Sequence, residues 1–456
     1  MENIKKNIEL NDETVLAIKK TTLSTTAAIK ATTNEIMNRE SKTFTQPTVI
    51  RCVRPVRSNV IPDEIMNDPI IAERIASKLP ANYSFEIHKS IWRIRKANAK
   101  RVCLQFPDGL FIFAVPITNI LREFNPEVEF VIMADTVYGA CCIDDCKAKE
   151  LDCDMLIHYG HSCLVPINQM ANGVSVLYVF VDIKFDIVHL IQTVVKHFNP
   201  QKHRLCLAGT IQFISSVHLA AKELRDKHSF YIFVPQAKPL TPGEILGCTS
   251  PELNREDINT ILFVADGRFH LESLMIANPD IEAFKYNPYD KQITCEKYDQ
   301  NAMLEQRTSA VEMLVNVLQK PNSTIGIILG TLGRQGNYQV LKTLRKLLNS
   351  VSKVNILEFY IAEISPEMLQ KLSQKHIEAW VQIGCPRLSI DWGNELVPNK
   401  PFLSPYEART AVRTIQNRSE PNFTKDRKYH MDFYSKDSLG SWTPSHKCHQ
   451  NCECEK

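Results

Sequence analysis

Short apolar runs separated by polar, glycine-bearing stretches set the rhythm of this chain. Runs that read as buried strands start near Val102, Val128 and Met155, again near Leu205, Phe230 and Ile261, and a third time near Ile325, Val354 and Ala379. Within each set the starts lie 25 to 31 residues apart, the spacing of βαβ units. Corresponding runs are offset by 102 to 106 residues between the first two sets and by 118 to 124 between the last two. Ile325-Gly326-Ile327-Ile328-Leu329 shows no alternation, as expected of a parallel strand buried on both faces. Val340, Leu341, Leu344, Leu347 and Leu348 share one face at helical spacing, and Ile65, Ile70, Ile71, Ile75 and Leu79 predict helix ahead of Pro80.

The pattern predicts an α/β protein: three repeated Rossmann-like α/β domains with parallel sheets, over residues 61–195, 196–305 and 306–430. Residues 1–60 are rich in Thr, Ser, Asn and Lys with little apolar periodicity and read as a flexible arm. Residues 431–456 read as a C-terminal tail.

In open α/β sheets the ligand crevice lies at the carboxyl ends of the strands. The loops expected there are polar and glycine-rich: Gln105-Phe106-Pro107-Asp108-Gly109, His158-Tyr159-Gly160-His161-Ser162, Pro235-Gln236-Ala237-Lys238-Pro239, Asp266-Gly267-Arg268-Phe269-His270 and Gly330-Thr331-Leu332-Gly333-Arg334-Gln335-Gly336. Five such loops over three repeats suggest one shared central site. The last follows a strand and precedes a helix, a cradle suited to phosphate or carboxylate. It lacks both the P-loop Lys-Ser/Thr and the G-x-G-x-x-G fingerprint, which disfavours a nucleotide-triphosphate site.

Three cysteines stand beside glycines in such contexts: Cys141 after Gly139-Ala140, Cys248 after Gly247 and Cys385 after Gly384. They are separated by 107 and 137 residues, unlike the close pairs of a zinc site. Either they are small core residues, or they are ligands that meet when three units pack. Three thiolates on a four-iron cluster would leave one iron open to substrate. Cys141 and Cys248 follow the second strand of their repeats whereas Cys385 follows the third, so the repeat alone does not dictate a ligand position. Cys142 and Cys146 open a C-x3-C motif, but Lys149 stands where a third cysteine would complete it, so both read as structural. Cys52, Cys103, Cys153, Cys163, Cys206 and Cys295 read as packing residues. The terminal Cys448-His449-Gln450-Asn451-Cys452-Glu453-Cys454 reads as a tail with adventitious metal affinity. His158, His161 and His270 are candidate acid–base groups whose more conservative reading is a hydrogen-bonded structural role.

A net charge of +3 on 456 residues is too small for a chain that mainly wraps nucleic acid. Fourteen cysteines fall far short of the roughly 8–10% of a disulfide scaffold. Met1 to Lys20 mixes Lys, Glu and Asp, predicting no secretory leader, and early Glu2, Glu9, Asp12 and Glu13 predict no mitochondrial presequence. The apolar window Val174 to Val195 is interrupted by Asp182, Lys184 and Asp186, so no membrane span is expected. A reducing, cytoplasmic compartment fits free thiols used as metal ligands.

Several long motifs go further. They are Asp135-Thr136-Val137-Tyr138-Gly139-Ala140-Cys141-Cys142-Ile143-Asp144-Asp145, His158 to Leu164, Lys238 to Pro251, Asp266 to Ser273, Leu329 to Gly336, Cys385 to Gly393, and Met431-Asp432-Phe433-Tyr434. Over roughly residues 60 to 440 the chain resembles the diphthamide-biosynthesis family of 2-(3-amino-3-carboxypropyl)histidine synthases, subunit 1. The resemblance implies three α/β domains around a central cluster site, with Cys141, Cys248 and Cys385 each giving one ligand to a [4Fe-4S] cluster. It implies a noncanonical radical transferase that moves the 3-amino-3-carboxypropyl group of S-adenosylmethionine to the imidazole C2 of one histidine in elongation factor 2, the first step of diphthamide synthesis. A related second subunit completes a heterodimer, an external protein donates electrons, and neither membrane nor direct nucleic-acid binding is expected. Hard C–S chemistry of this kind needs a redox cofactor. Gln105, Gln236 and Arg334, from strand-end loops, are the candidate contacts to S-adenosylmethionine, an Arg being suited to the substrate carboxylate. Two rival readings are a quinolinate-synthase-like iron–sulfur enzyme and a noncatalytic supporting subunit of the same complex. A plain nucleotide-binding module is a third.

Overall fold

The computed structural model describes residues 60–374, 376–416 and 428–446. The expected arm, apart from Val60, lies outside them, as do Cys52 and the Cys448–Cys454 tail. The strands in chain order are β1 (Tyr83–Ser84), β2 (Arg101–Gln105), β3 (Glu129–Met133), β4 (Met155–Tyr159), β5 (Ser175–Val179), β6 (Asp182–Ile183), β7 (Arg204–Gly209) and β8 (Tyr231–Phe233). They continue as β9 (Thr260–Val264), β10 (Glu282–Asn287), β11 (Gln292–Glu296), β12 (Thr324–Gly330), β13 (Asn355–Ile361), β14 (Ala379–Ile383) and β15 (Phe402–Leu403). Every apolar run singled out in the sequence is a strand that starts within one residue of its expected position.

The first sheet runs β3-β2-β4-β5 and is parallel throughout. The second runs β11-β10-β9-β7-β8, parallel except for β11. The third runs β13-β12-β14-β15, again parallel. In each sheet the first strand in sequence sits inside, the second takes the neighbouring edge, and the third pairs on its other side. A small ladder of β1 with β6 is antiparallel. The protein is thus a mixed α/β fold with several parallel sheets, in one compact unit from Ile61 onward.

Side-chain alternation divides each central strand between two cores. Val102 and Leu104 pack with Ile117, Ile120 and Leu121 on one face of the first sheet, while Cys103 joins Leu156, Ile143 and Ala148 on the other. Leu205 and Leu207 face Val217, Ala220 and Leu224, while Cys206 and Ala208 face Leu271 and Leu274. In the third sheet Ile325 and Ile327 face Leu341 and Leu344, and Ile328 packs with Trp380. Gly326 makes room there: a Cβ at this position would lie 2.5 Å from the Trp380 ring.

The helix Tyr338–Asn349 buries Val340, Leu341, Leu344 and Leu348, and Asn337 caps it by accepting from the Gln339 and Val340 amides. Strands beyond the third in each sheet escaped the sequence pattern. β15 is only two residues long, and β11 is mostly exposed with no apolar run.

Candidate metal centre

The strand-end loops converge as the α/β arrangement demands. After β3 the chain reaches a 3-10 turn at Ala140–Cys142, closed by the Cys142 amide on the Gly139 carbonyl at 2.9 Å. Neighbouring elements hold this turn from two sides. Gln105, at the end of β2, donates Nε2 to the Cys142 carbonyl (2.9 Å), and its Oε1 accepts from the Asp144 amide (3.3 Å). From the third sheet, the Arg334 amide donates to the Cys141 carbonyl at 2.8 Å. The Arg334 guanidinium makes two bonds of 2.8 and 2.6 Å to Asp145, a fully buried carboxylate that also accepts from the Ala171 amide at 2.5 Å. Gly333 brings this loop close, since it sits at φ +55° and a Cβ there would meet the Cys142 carbonyl carbon at 2.5 Å.

Cys248 lies after β8 in a turn closed by Leu246 and Thr249, whose amides and carbonyls bond reciprocally at 3.2 Å. The Thr249 hydroxyl donates to the Cys248 sulfur at 3.7 Å, and the Phe433 amide donates to the Cys248 carbonyl at 3.3 Å. Cys385 follows β14 and precedes the helix Arg387–Leu396. Its carbonyl accepts from the Leu388 amide (3.0 Å) and from Gln382 Nε2 (2.8 Å). Arg387, only 2% exposed, is pinned by Glu272 (2.6 Å), Asp391 (2.8 Å) and the Phe269 carbonyl (2.8 Å). The guanidinium also lies over the Phe269 ring, 4.3 Å from its centroid. A cavity of about 590 Å³ opens beside it, lined by Phe269, Glu272, Tyr298, Asp391 and Trp392 among others.

The three thiols sense one another. A hydrogen bond to Cys142 pushes the Cys141 thiol up, together with burial and the charges of Cys248 and Cys385. Cys142 moves the other way, its thiolate favoured by the bond from Cys141 and by Gln335. Burial, and then the charge of Cys385, pushes Cys248 to about 12; burial pushes Cys385 to about 11. Cys141 and Cys248 pack against the same apolar group of Ala140, Leu164, Leu240 and Phe433. Burial favours the protonated forms of Cys141, Cys248 and Cys385, and any metal bound by them must displace protons.

Among the described residues no three His, Cys, Asp or Glu side chains lie close enough to hold a single metal ion. A polynuclear cluster asks for something else, one thiolate per iron at separate corners. Three thiols, one from each sheet, in apolar surroundings fit that demand.

The model of the family described as "Putative diphthamide synthesis protein" matches residues 106–422. The chain belongs to the diphthamide synthesis family. Relatives named "2-(3-amino-3-carboxypropyl)histidine synthase subunit 1" include the protein of Nematostella vectensis, 48% identical over 86% of this chain and 78% of its own length. The Schizosaccharomyces pombe relative is 46% identical, covering 84% of each chain. The human relative is 45% identical over 85% of this chain and 83% of its own length. Among solved structures, Dph2 from Pyrococcus horikoshii, determined with a 4Fe-4S cluster, superposes with a TM-score of 0.60 at 22% identity. It covers 76% of this chain and 93% of that chain, a likeness of fold.

In this member of the diphthamide synthesis family, two of the expected substrate-contacting residues are engaged by the protein itself. Gln105 and Arg334 secure the Cys141–Asp145 segment through the bonds described above. Gln236 is exposed, with Nε2 donating to the Leu240 carbonyl at 3.0 Å. Loop 330–336 is not free as an anion cradle. It is closed onto Cys141 and Cys142, and Asn337 takes the amides of the following helix.

His158 does have the structural role expected: Nδ1 lies 2.8 Å from Gln105 Oε1 and Nε2 lies 3.2 Å from His161 Nδ1. Because the Gln oxygen only accepts, His158 carries its proton on Nδ1 and receives one from His161. Burial lowers all three imidazoles, His161 and His270 to about 4, so they are neutral at pH 7.

Cys142 is buried, its sulfur 3.4 Å from Gln335 Nε2. Cys103, Cys153 and Cys206 are buried and Cys163 is half-buried, but Cys146 and Cys295 are exposed. Cys295 departs from the packing expectation because β11 is an edge strand with most of its residues open to solvent. The sequence reading gave no role to Gln335, Gln382, Arg387 or Tyr434. Only the places of Gln335, Arg387 and Tyr434 inside the long motifs hinted at one; Gln382 lies outside them. No helix among the described residues is long and apolar enough to cross a membrane.

Proposed function

We propose that this chain is the cluster-bearing subunit of a synthase that transfers the 3-amino-3-carboxypropyl group of S-adenosylmethionine to one histidine of elongation factor 2. It works in the cytoplasm with a related second subunit and an external electron-donor protein. In this reading Cys141, Cys248 and Cys385 hold a [4Fe-4S] cluster, and residues 61–195, 196–305 and 306–430 are three α/β repeats that each contribute one thiol. The observation that carries it is that Cys141, Cys248 and Cys385, one from each sheet, lie near enough for each to feel another's charge.

When bound, such a cluster supplies an open iron for the substrate and the electron for C–S cleavage. The protein's task is positioning. The Gln105, Arg334 and Gln335 contacts fix the Cys141 turn, Thr249 supports Cys248, and Gln382 fixes the Cys385 carbonyl. Apolar Leu164, Leu240 and Phe433 exclude water around Cys141 and Cys248, which strengthens electrostatic interactions inside the site. Which carbon of a bound sulfonium would face the cluster would depend on how rigidly these residues hold the site. Overall the Cγ–S bond breaks, a bond to imidazole C2 forms, methylthioadenosine leaves and one proton is released. An electron put in at cleavage is recovered when the imidazole regains its aromaticity.

Anaerobic reconstitution should give about four iron and four sulfide per chain, with a paramagnetic signal after reduction. With reductant, S-adenosylmethionine, the partner subunit and elongation factor 2, chromatography should show methylthioadenosine and an enlarged histidine. Mainly 5′-deoxyadenosine with unmodified elongation factor 2, or no iron at all, would overturn the reading.

A further inference from the structure

The stretch matched by the family model ends at residue 422, yet residues 428–446 complete the thiol site. They run antiparallel to the Cys248 segment, bridging Asp432 to Thr249. The Ser250 amide donates to the Met431 carbonyl (2.7 Å) and the Lys436 amide to the Lys238 carbonyl (2.6 Å). Asp432, 7% exposed, locks the strap onto itself by accepting from the Leu439 amide (2.9 Å) and Trp442 Nε1 (3.0 Å). Trp442 in turn packs on Tyr406, with ring centroids 4.9 Å apart.

Tyr434 is where the strap meets the thiols. Its amide donates to Thr249 Oγ1 at 3.0 Å, the same hydroxyl that donates to the Cys248 sulfur. Its phenol donates to the Gln335 carbonyl at 3.3 Å and lies within hydrogen-bonding reach of the Cys141 thiol, near Cys248 and Cys385. One residue therefore touches the Cys141 turn, the Cys248 segment and the 330–336 loop, which come from three different sheets.

We propose that Tyr434 is a positioning residue of the three-thiol site, supplied by a C-terminal strap that covers Cys248. The ring keeps water from the sulfurs, and the single phenolic proton, which rests on the Gln335 carbonyl while Cys141 is a thiol, turns to the Cys141 sulfur once that sulfur is ionised. Hydrogen bonds to cluster sulfurs stabilise the more negative, reduced state and so raise the potential. The effect on potential rests on the cluster reading above; the cover does not.

Two conservative variants test it. Asp432→Asn gives up the carboxylate that accepts from two N–H donors, and such charge-assisted bonds are among the stronger ones. In cluster-free protein, labelling of Cys248 by iodoacetamide, mapped by mass spectrometry, should be at least ~10-fold faster in this variant. Exposed Cys146 should label at an unchanged rate and buried Cys206 should remain protected. Unchanged labelling of Cys248, or labelling of Cys206 in step with it, overturns the strap. Tyr434→Phe keeps the ring that packs on Phe433, with centroids 4.8 Å apart, and loses only the hydroxyl. Reconstituted Tyr434→Phe should keep its iron but show a more negative midpoint potential, and an unchanged potential overturns the role of the hydroxyl. Wild-type protein that takes up no cluster would instead defeat the functional reading, leaving the labelling result to stand by itself.

Discussion

Arg334→Ala tests how far the site depends on a contact between sheets. Asp145 belongs to the first sheet's loop and is fully buried, while Arg334 comes from the third and is 31% exposed. Removing the guanidinium deletes two charge-assisted bonds and leaves a buried carboxylate with the Ala171 amide. Breaking a buried pair in this way costs about 3–5 kcal/mol, and the partly open arginine argues for ~3. Over the ~400 residues from Ile61 onward, an unfolding entropy of ~2.1 cal/mol/K per residue makes that roughly 4 °C in Tm.

Its pH dependence is specific. Burial alone would raise Asp145, but the Arg334 bonds and the Ala171 amide hold it below its ordinary 3.8. A depressed carboxyl stabilises above its unfolded pKa, and the gain disappears as pH falls through the folded value. Without Arg334, burial prevails and the ionised carboxyl destabilises at neutral pH. The Tm deficit should therefore be widest at pH 7 and shrink as pH falls below 4, and Asp145→Asn in the same chain should restore much of it. Scanning calorimetry at pH 7, 5 and 3.5 reads this directly. A deficit under ~1 °C at pH 7, or one that does not change with pH, refutes the argument.

Further outcomes follow from the same geometry. Cys141→Ala, Cys248→Ala and Cys385→Ala should each lose most of their iron and transfer activity in the assembled complex, whereas Cys146→Ala should keep both; full iron in Cys385→Ala would reverse the ligand assignment. Gly333→Ala places a methyl 2.5 Å from the Cys142 backbone at φ +55°, where no rotamer relieves the clash, so a loss of ~2 kcal/mol or more in denaturant titration is expected, with reduced cluster content. Glu252 is held near 2 by His430 and Lys428 against the opposing pull of burial. That stability is present above pH 4.5 and fades toward pH 2, so Glu252→Gln should differ from wild type at neutral pH by under ~1 kcal/mol and converge with it in acid.

Strand positions were legible because parallel strands buried on both faces leave uninterrupted apolar runs such as Ile325 to Leu329. β10 and β11 were not, since Glu282, Lys285, Gln292 and Glu296 give them the look of loops. Strand-end loops were correctly located, but the partners of their side chains were not. Nothing near Arg334 in sequence announces that Asp145, 189 residues away, will claim its guanidinium. Tyr434 was hidden for a related reason. Its neighbours are distant in sequence, and an aromatic residue near the C-terminus carries no periodic signal.

The two readings of the cysteines, small core residue and, under the proposed function, metal ligand, do not exclude each other. Protonated, with Cys248 near 12 and Cys385 near 11, the thiols carry no charge and behave as small hydrophobes. Ionised, three thiolates in the same space would repel one another unless iron compensated them. Placing one thiol on each sheet makes the ligand set contingent on all three sheets packing. The contacts that enforce that packing are Arg334 with Asp145, Arg387 with Glu272, and the Tyr434 phenol with the Gln335 carbonyl, each joining segments distant in the chain. Under the proposed function a ligand set of this kind would not form in a partly folded chain, and cluster loading would report complete folding.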